Sequence, residues 1–235
     1  MDLTVILPVF NEENVIKSTI QKVNQFLKNQ DLTFEVIVVN DGSTDRTVKR
    51  VKEVELTNLV LLENNKNSGK GAAVKKGAMA AQGEFILFMD ADFSTSIENL
   101  TKFIDLLGKE KADIVIASRA LPESVIKVRQ LKFKEALGQL GNLPIRFFLV
   151  KDIKDTQCGF KLFKRDCLKL FRLQRLKRWG FDFEILFLAQ KFGYKILELP
   201  VTWTNRQNSR VRFIDYFKTL GEVFIVKFND LMKKY

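Results

Sequence analysis

Short apolar runs alternate with longer amphipathic stretches through the first half of the chain. The apolar runs predict strands near residues 3–8, 34–40, 58–63, 84–89 and 113–117. The stretches between them predict helices near residues 12–29, 44–53, 70–81 and 97–108. This alternation is typical of an α/β fold, in which helices flank a mainly parallel central sheet on both faces. A ligand of such a sheet is expected beyond the carboxyl ends of its strands.

The second half of the chain has a different pattern. Residues 125–151 mix basic and apolar side chains and predict basic amphipathic helices, whereas 181–192 predicts a helix and 195–199 a strand. A final helix is predicted over 212–235, with an apolar face made by Phe213, Phe217, Leu220, Phe224, Phe228 and Leu231. Because no linker, repeat or low-complexity tract divides the sequence, we expect one domain over residues 1–235.

Positive charge is concentrated in the second half. The 235 residues include 39 Lys and Arg against 28 Asp and Glu, which gives a net charge of +11. Residues 125–178 alone contain 15 basic and four acidic side chains, interleaved with Phe, Leu and Ile. This combination favours a surface that meets phosphate, nucleic acid or an anionic membrane.

Histidine is absent from the sequence, which excludes His-based catalytic triads, His-ligated zinc and His general bases. Carboxylates and oxygen-ligated metals are the expected chemistry instead. The two cysteines, Cys158 and Cys167, match no zinc-site spacing and favour a reducing cytoplasm. No apolar stretch reaches the roughly 18–20 residues that span a bilayer, so we expect a protein that is soluble or lies on a membrane surface.

Four loops with polar side chains each follow a predicted strand. The first covers residues 7–13, and on its own it would be only a strand end before an acidic helix start. The second covers residues 39–45 and contains Asp41, which is expected to be exposed and whose carboxylate could accept a hydrogen bond from a base or a ribose.

The third and fourth loops carry charges that suit a diphosphate. Residues 67–71 place Lys70 between glycines at a helix N-terminus, where its charge and the backbone N–H groups suit a phosphate. Residues 88–94 end a hydrophobic strand with Asp90 and Asp92. Two carboxylates this close are costly without a cation, and Mg²⁺ or Mn²⁺ bridging a diphosphate would supply one.

Taken in this order, the four loops resemble those of the family 2 inverting glycosyltransferases of the GT-A fold, over roughly residues 3–120. The resemblance implies that residues 1–120 bind a nucleotide-sugar donor and that 121–235 supply the acceptor and membrane-surface contacts. It implies that Asp90 and Asp92 hold the metal and the diphosphate. The residues implied for donor binding in the first two loops are Pro8, Phe10, Glu12, Asp41 and Ser43.

Motifs in the second half resemble the dolichyl-phosphate β-glucosyltransferase branch of that family, beside the dolichyl-phosphate mannose synthases. They are Ala117-Ser118-Arg119, the strings at 155–163 and 178–184, and Val201-Thr202-Trp203-Thr204. Two departures matter: members of the branch usually carry a transmembrane anchor, which is not expected here, and the cation of their Gly-Ser-Lys string is Arg210 in this chain.

This second resemblance implies metal-dependent transfer of a hexose, with glucose from UDP-glucose as the first choice, to a polyprenyl phosphate at the cytoplasmic face of an anionic membrane. Asp90, Asp92 and Asp182 are the candidate catalytic residues. The cations expected near the departing diphosphate are Lys70, Arg206 and Arg210. The residues expected around the acceptor are Arg119, Lys161 and Gln157.

Three alternatives stay open on the sequence. Mannose from GDP-mannose could be transferred to the same class of lipid. A sugar or protein hydroxyl could be the acceptor, for which Asp182 or Glu184 would act as base. The chain could also be a nucleotide-sugar-binding pseudoenzyme, although the intact Asp90 and Asp92 argue against that. The four loops have no role in recognising the base sequence of a nucleic acid, so no nucleic acid partner is expected.

Overall fold

A computed structural model describes residues 1–109, 111–128, 142–204 and 213–235. Nine strands are present in this described part of the chain. Their bounds are β1 Leu3–Val9, β2 Phe34–Asn40, β3 Leu59–Glu63, β4 Phe85–Met89, β5 Ile114–Ser118, β6 Val125–Val128, β7 Phe160–Lys164, β8 Ile196–Pro200 and β9 Thr202–Thr204. The five strands predicted in the first half are confirmed, each within one residue at either end.

Helices connect and flank these strands. Their bounds are α1 Ile16–Lys28, α2 Thr47–Lys52, α3 Lys70–Ala80, α4 Leu100–Gly108, α5 142–148, α6 Leu168–Leu173, α7 Phe181–Lys191 and α8 Phe213–Leu231, with single 3₁₀ turns at Ile97–Asn99 and Arg165–Cys167. The first helix was predicted from residue 12 but begins at Ile16. Residues 13–15 form turns instead, and Val15, with a φ of −120°, departs from helical geometry just before the helix begins.

Seven strands form one sheet in the order β3-β2-β1-β4-β7-β5-β8. The strands are parallel except β7, which runs antiparallel to both of its neighbours, β4 and β5. Strand β7 was not predicted, because Phe160–Lys164 contains a lysine at a position that turns out to be fully buried. The mainly parallel α/β sheet with helices on both faces is confirmed.

Both faces of the sheet are buried, as the uniformly apolar strands require. Alternate residues of β2 point to opposite sides, so that Val36 and Val38 pack with α1 and α4 while Ile37 and Val39 pack with α3, α6 and α7. Each side has its own hydrophobic core, which anchors the loops at the carboxyl ends of β1, β2 and β4.

The basic segment predicted as amphipathic helices is only partly helical. Residues 125–128 form strand β6, which pairs with β9 in a separate two-stranded sheet, and α5 covers 142–148. The remainder of that segment lies outside the described residues. In the parts of the chain that the structure describes, no helix has the length and apolar character required to cross a membrane.

The two sides of α8 have different surroundings. Val223 and Val226 are buried in the core beside α3, α6 and α7. By contrast, Phe224, Phe228 and Leu231 are 60%, 56% and 78% exposed. The predicted apolar face from Leu220 to Leu231 is therefore turned outwards, whereas the side chains of Phe213 and Phe217 lie outside the described part of the chain. The two valines pack the helix against the protein.

Candidate functional site

The loops after β1 and β2 are tied together by hydrogen bonds between backbone and side chains. The N–H of Asn11 donates to Oγ of Ser43 at 2.8 Å, and Oδ1 of Asn11 accepts the N–H of Thr44 at 2.8 Å. The N–H of Glu12 donates to Oγ1 of Thr47 at 2.7 Å. These bonds fix the two loops in one arrangement beyond the carboxyl edge of the sheet.

The donor-binding candidates of these loops lie side by side on this edge. Pro8 is at the end of β1, and Phe10, Glu12 and Ser43 are half-buried in the loops. The hydroxyl of Ser43 already accepts the N–H of Asn11, so Ser43 also holds the loop itself.

Asp41 is buried rather than exposed, contrary to the sequence-based expectation, and is 3% accessible. Its Oδ1 accepts hydrogen bonds from Nδ2 of Asn64 at 2.8 Å and from the N–H of Ser68 at 2.9 Å. Its Oδ2 accepts the N–H of Gly69 at 2.7 Å. The carboxylate of Asp41 therefore holds the loop that precedes Lys70.

Lys70 begins α3 and points at the carboxyl end of β4. Its Nζ lies 2.5 Å from Oδ1 of Asp90, with the rings of Phe88 and Trp179 centred 5.5 and 5.6 Å away. Burial alone would lower the pKa of the Lys70 ammonium, but the neighbouring carboxylates, that of Asp90 above all, raise it. Lys70 therefore keeps its proton and its positive charge beside the acidic pair.

Glycines make this close approach possible. Gly69 has a φ of 107°, and a Cβ there would lie 2.4 Å from the carbonyl oxygen of Lys177. A Cβ on Gly159 would lie 2.0 Å from Oδ2 of Asp90, whose N–H donates to the Gly159 carbonyl at 2.9 Å. The loop before β7 thus leaves the space that the Asp90 carboxylate fills.

Asp90 and Asp92 stand together at the end of β4. Burial and the charge of Asp90 raise the pKa of the Asp92 carboxyl, although the Ser94 N–H donates to its Oδ1 at 2.8 Å. No three His, Cys, Asp or Glu side chains are grouped to hold a metal within the described ranges. The negative charge of Asp92 is nevertheless disfavoured by burial and by the charge of Asp90, and a divalent cation would relieve this. Two carboxylates suit Mg²⁺ or Mn²⁺, since proteins commonly hold such ions with one or two carboxylates and the phosphates of a substrate.

Lys161 and Asp182 form a buried ion pair close behind this cluster. The two side chains are 1% and 3% exposed, and Nζ lies 2.6 Å from Oδ1. Nζ of Lys161 also donates to the carbonyl of Cys158 at 2.8 Å. Burial raises the pKa of the Asp182 carboxyl, which the ammonium of Lys161 and that of Lys70 oppose. The predicted direct contact of Lys161 with an acceptor phosphate does not fit this burial.

Arg119 is held by a residue that the sequence did not single out, Asp155. Its Nε and Nη2 donate to Oδ2 and Oδ1 of Asp155 at 2.7 and 2.9 Å, and its guanidinium lies 5.5 Å from the centre of the Trp203 ring. The Arg119 side chain remains one-third exposed. Gln157, half-buried, lies nearby, since its N–H donates to the same carboxylate at 3.2 Å.

Strand β9 brings Trp203 and Thr204 against the loop of the acidic pair. Trp203 forms a bridge with Thr95, and the Thr204 N–H donates to the Ser94 carbonyl at 2.9 Å. Arg206 and Arg210, predicted as diphosphate contacts, follow this strand in the sequence and lie outside the described residues.

Glu184, the second candidate base, has a structural role. It is fully buried and accepts the N–H groups of Arg175 and Leu176 and the hydroxyl of Tyr235. Burial raises the pKa of the Glu184 carboxyl. These contacts fix the loop before α7, which contains Trp179, a site neighbour that the sequence analysis grouped only as part of a motif.

The sequence and the fold were compared with those of known proteins. The family model described as Glycosyl transferase family 2 matches residues 4–171. The dolichyl-phosphate beta-glucosyltransferase of Dictyostelium discoideum is 36% identical in an alignment that covers 98% of this chain and 75% of that protein. The protein of the same name from Homo sapiens is 34% identical, over 89% of this chain and 69% of its own length.

Two solved structures resemble the fold at low sequence identity. Glucosyl-3-phosphoglycerate synthase from Mycobacterium tuberculosis, in complex with Mn²⁺, UDP and phosphoglyceric acid, is 18% identical with a TM-score of 0.72, over 99% of this chain and 78% of that one. TarS 1-349 from S. aureus, in complex with UDP-GlcNAc, is 21% identical with a TM-score of 0.62, over 96% and 66%. With the sheet order and the matched family model, these likenesses lead to one conclusion: the chain belongs to glycosyltransferase family 2 and has the GT-A fold.

Proposed function

We propose that this chain transfers glucose from UDP-glucose to the phosphate of dolichol or a related polyprenol, with inversion at the anomeric carbon. One observation carries the proposal: Lys70, Asp90 and Asp92 meet at the carboxyl end of β4, where together with a divalent cation they can balance a diphosphate. The names of the curated relatives support the lipid acceptor and the glucosyl group. The Mn²⁺ and UDP of a structure with the same fold support the donor class.

The donor lies along the edge formed by the first two loops. Pro8, Phe10, Glu12 and Ser43 face the nucleoside, and Asp41 acts by holding the loop before Lys70 rather than by exposing its own carboxylate. The diphosphate is then next to Lys70, whose ammonium neutralises charge that grows as UDP departs. A divalent cation on Asp90 and Asp92 would supply further electrophilic stabilisation of the same diphosphate.

The transfer itself is a single displacement. An oxygen of the acceptor phosphate attacks the anomeric carbon from the side opposite UDP, and a carbon–oxygen bond forms as the bond to the diphosphate breaks. The bonding electrons leave with UDP. No covalent enzyme intermediate is needed, which agrees with Cys158 being buried and held at 3.8 Å from Oγ1 of Thr95.

A phosphate acceptor matches the surroundings of the two candidate bases, Asp182 and Glu184, since both carboxylates already have partners. A phosphate monoester has a second pKa of about 6, so it already presents an anionic oxygen at neutral pH. A hydroxyl would need a base, yet Asp182 is paired with Lys161 and Glu184 is enclosed by backbone donors. Arg119, preorganised by Asp155 and one-third exposed, is the proposed grip on the acceptor phosphate.

The proposed membrane surface joins α5 and α8. Phe147 and Phe148 of α5 are 80% and 45% exposed, and the Phe148 ring lies 6.3 Å from that of Phe224 on α8. Exposed Arg146, Lys151 and Lys218 flank these rings in sequence. Apolar rings with adjacent cations suit the anionic headgroups of a leaflet, and we assign the cytoplasmic face because its leaflet carries the anionic lipids.

The test is a donor and acceptor panel with the purified chain. Radiolabelled UDP-glucose or GDP-mannose is mixed with a short polyprenyl phosphate or the matching polyprenol, and the product is extracted into organic solvent. We expect label in the organic phase only with UDP-glucose and the phosphate, and its loss in excess chelator. Transfer from GDP-mannose would change the donor, and transfer to the free alcohol would refute the phosphate acceptor.

A further inference from the structure

The contact between Lys70 and Asp90 occupies an oxygen that a metal would need. Nζ of Lys70 lies 2.5 Å from Oδ1 of Asp90, within hydrogen-bond distance, and the lysine side chain is only 16% exposed. Among the described residues, Asp90 is the single ion-pair partner of Lys70. Its remaining neighbours include the ring faces of Phe88 and Trp179.

We propose that Lys70 is an internal counter-ion of Asp90 that moves to the nucleotide diphosphate when the donor binds, and that this exchange makes metal and nucleotide binding depend on each other. The inference rests on the proposed function, because it takes a nucleoside diphosphate as the ligand. It assigns Lys70 a second role beyond charge neutralisation during transfer.

Charge balance is the first argument. Three carboxylates, those of Asp90, Asp92 and Asp182, influence one another here, and two ammonium groups, those of Lys70 and Lys161, face them. Lys161 is immobilised by its own bonds to Asp182 and Cys158, and Arg119, whose charge also acts on Asp90, is held by two bonds to Asp155. Among the cations that the structure describes around Asp90, Lys70 is therefore the one that can move when a divalent ion approaches.

The cost of moving Lys70 alone is the second argument. A divalent ion that takes Oδ1 of Asp90 displaces the ammonium and repels it. Displaced, Lys70 would stand among aromatic rings with reduced access to water, and a half-buried ammonium without a partner is unfavourable. A diphosphate supplies a new anionic partner for the ammonium, so it removes the penalty that the metal by itself would meet.

The expected consequence is a coupling between the two ligands that depends on Lys70. In the wild type, saturating UDP should raise the affinity for Mn²⁺ by about tenfold or more, within the usual range of such coupling. In Lys70→Met, Mn²⁺ alone should bind more tightly, while Mn²⁺ with UDP should gain nothing. The ratio of the two Mn²⁺ affinities should fall by roughly tenfold.

The experiment measures free Mn²⁺ by electron paramagnetic resonance during titration of the full chain, with and without UDP. Lys22→Met is the matched control. Lys22 is an exposed cation whose Nζ lies 5.4 Å from the centre of the Phe93 ring, and Phe93 follows Asp92 in the sequence. If loss of charge were the whole effect, both variants would raise Mn²⁺ affinity equally with and without UDP. Lys70→Gln repeats the test with a polar side chain, and circular dichroism checks folding.

The outcomes separate the inference from the proposed function. A ratio that falls in both Lys70 variants but not in Lys22→Met supports the exchange. An unchanged ratio in variants that still bind Mn²⁺ and UDP overturns the exchange and leaves the proposed function standing. Failure of the wild type to bind UDP at any Mn²⁺ concentration overturns both.

Discussion

Lys161 and Asp182 face each other across the interior, from β7 to the first turn of α7, with Nζ 2.6 Å from Oδ1. The two residues are 21 positions apart and nearly inaccessible. Their pairing explains how a lysine is tolerated in the middle of a sheet, because its charge is matched and a second of its three N–H groups donates to the Cys158 carbonyl.

We predict that removal of either charge destabilises the protein more than removal of both. Lys161→Met or Asp182→Asn should each lower the free energy of unfolding by about 3–5 kcal/mol, because the partner is left charged and buried. The double variant should lose less than either single variant, because it leaves no unpaired buried charge. Urea denaturation of the four proteins measures this cycle. An Asp182→Asn protein of wild-type stability without activity would instead restore Asp182 as a base.

The space beside Asp90 gives a second prediction. In Gly159→Ala, the new Cβ would lie 2.0 Å from Oδ2 of Asp90 and must push the carboxylate aside. We expect kcat/KM to fall by about 10²-fold, which is typical of a reacting group displaced by 1 Å. Gly108→Ala is the matched control, since a Cβ there meets nothing within 4 Å. Equal kinetics for the two variants would contradict the assignment of Asp90.

Arg119 supplies a third prediction. Arg119→Ala should raise the KM for polyprenyl phosphate by about tenfold or more and leave that for UDP-glucose nearly unchanged, because only the acceptor is proposed to contact the guanidinium. Steady-state kinetics with each substrate varied in turn measure the split. Arg50→Ala, which removes a surface arginine paired with Glu53, is the control. A matching rise in both KM values would point to a structural effect through Asp155.

The joined faces of α5 and α8 lead to a fourth prediction. Phe147→Ser and Phe224→Ser should each weaken sedimentation with anionic vesicles by roughly tenfold, in line with about 1.5–3 kcal/mol for burying such a ring. High salt should weaken binding of the wild type further. Phe192→Ser is the control, because Phe192 is also exposed but lies at the end of α7 beside Lys169. If none of the three substitutions changes binding to anionic vesicles, the exposed faces of α5 and α8 are not the membrane-binding surface.

The two thiols lead to a fifth prediction. Burial raises the pKa of Cys158 to about 11 and that of Cys167 to about 12. A raised thiol pKa leaves well under about 1% thiolate at pH 7.5, and the thiolate is the reactive form. Ellman's reagent should therefore react slowly with the native protein and rapidly with both thiols in urea. Fast modification of the native protein at pH 7.5 would show that one thiol is accessible.

The loops were predictable where a local pattern carries the chemistry. Asp90 and Asp92 follow an apolar strand, and Lys70 lies between two glycines. A few neighbouring residues are therefore enough to identify each as a candidate site residue. The ion pair between Lys70 and Asp90 follows because parallel strands of one sheet end at the same edge.

The partners that hold these groups were not predictable, because they come from distant parts of the chain. Asp155 meets Arg119 across 36 residues, and Asp41 meets Gly69 across 28. The burial of Asp41 runs against the usual exposure of carboxylates, and only the three donors found in the fold explain it.

The insertion of β7 between β4 and β5 bears on how the chain can fold. Strands β4 and β5 do not pair with each other, and both pair with β7. Strand β7 is synthesised about 70 residues after β4 and about 40 residues after β5. A fragment ending near residue 120 would carry unpaired strand edges and half a core, which favours aggregation. Because β7 joins β4 to β5, we expect residues before 120 and after 160 to fold together, and the nascent chain to stay unfolded until β7 has left the ribosome.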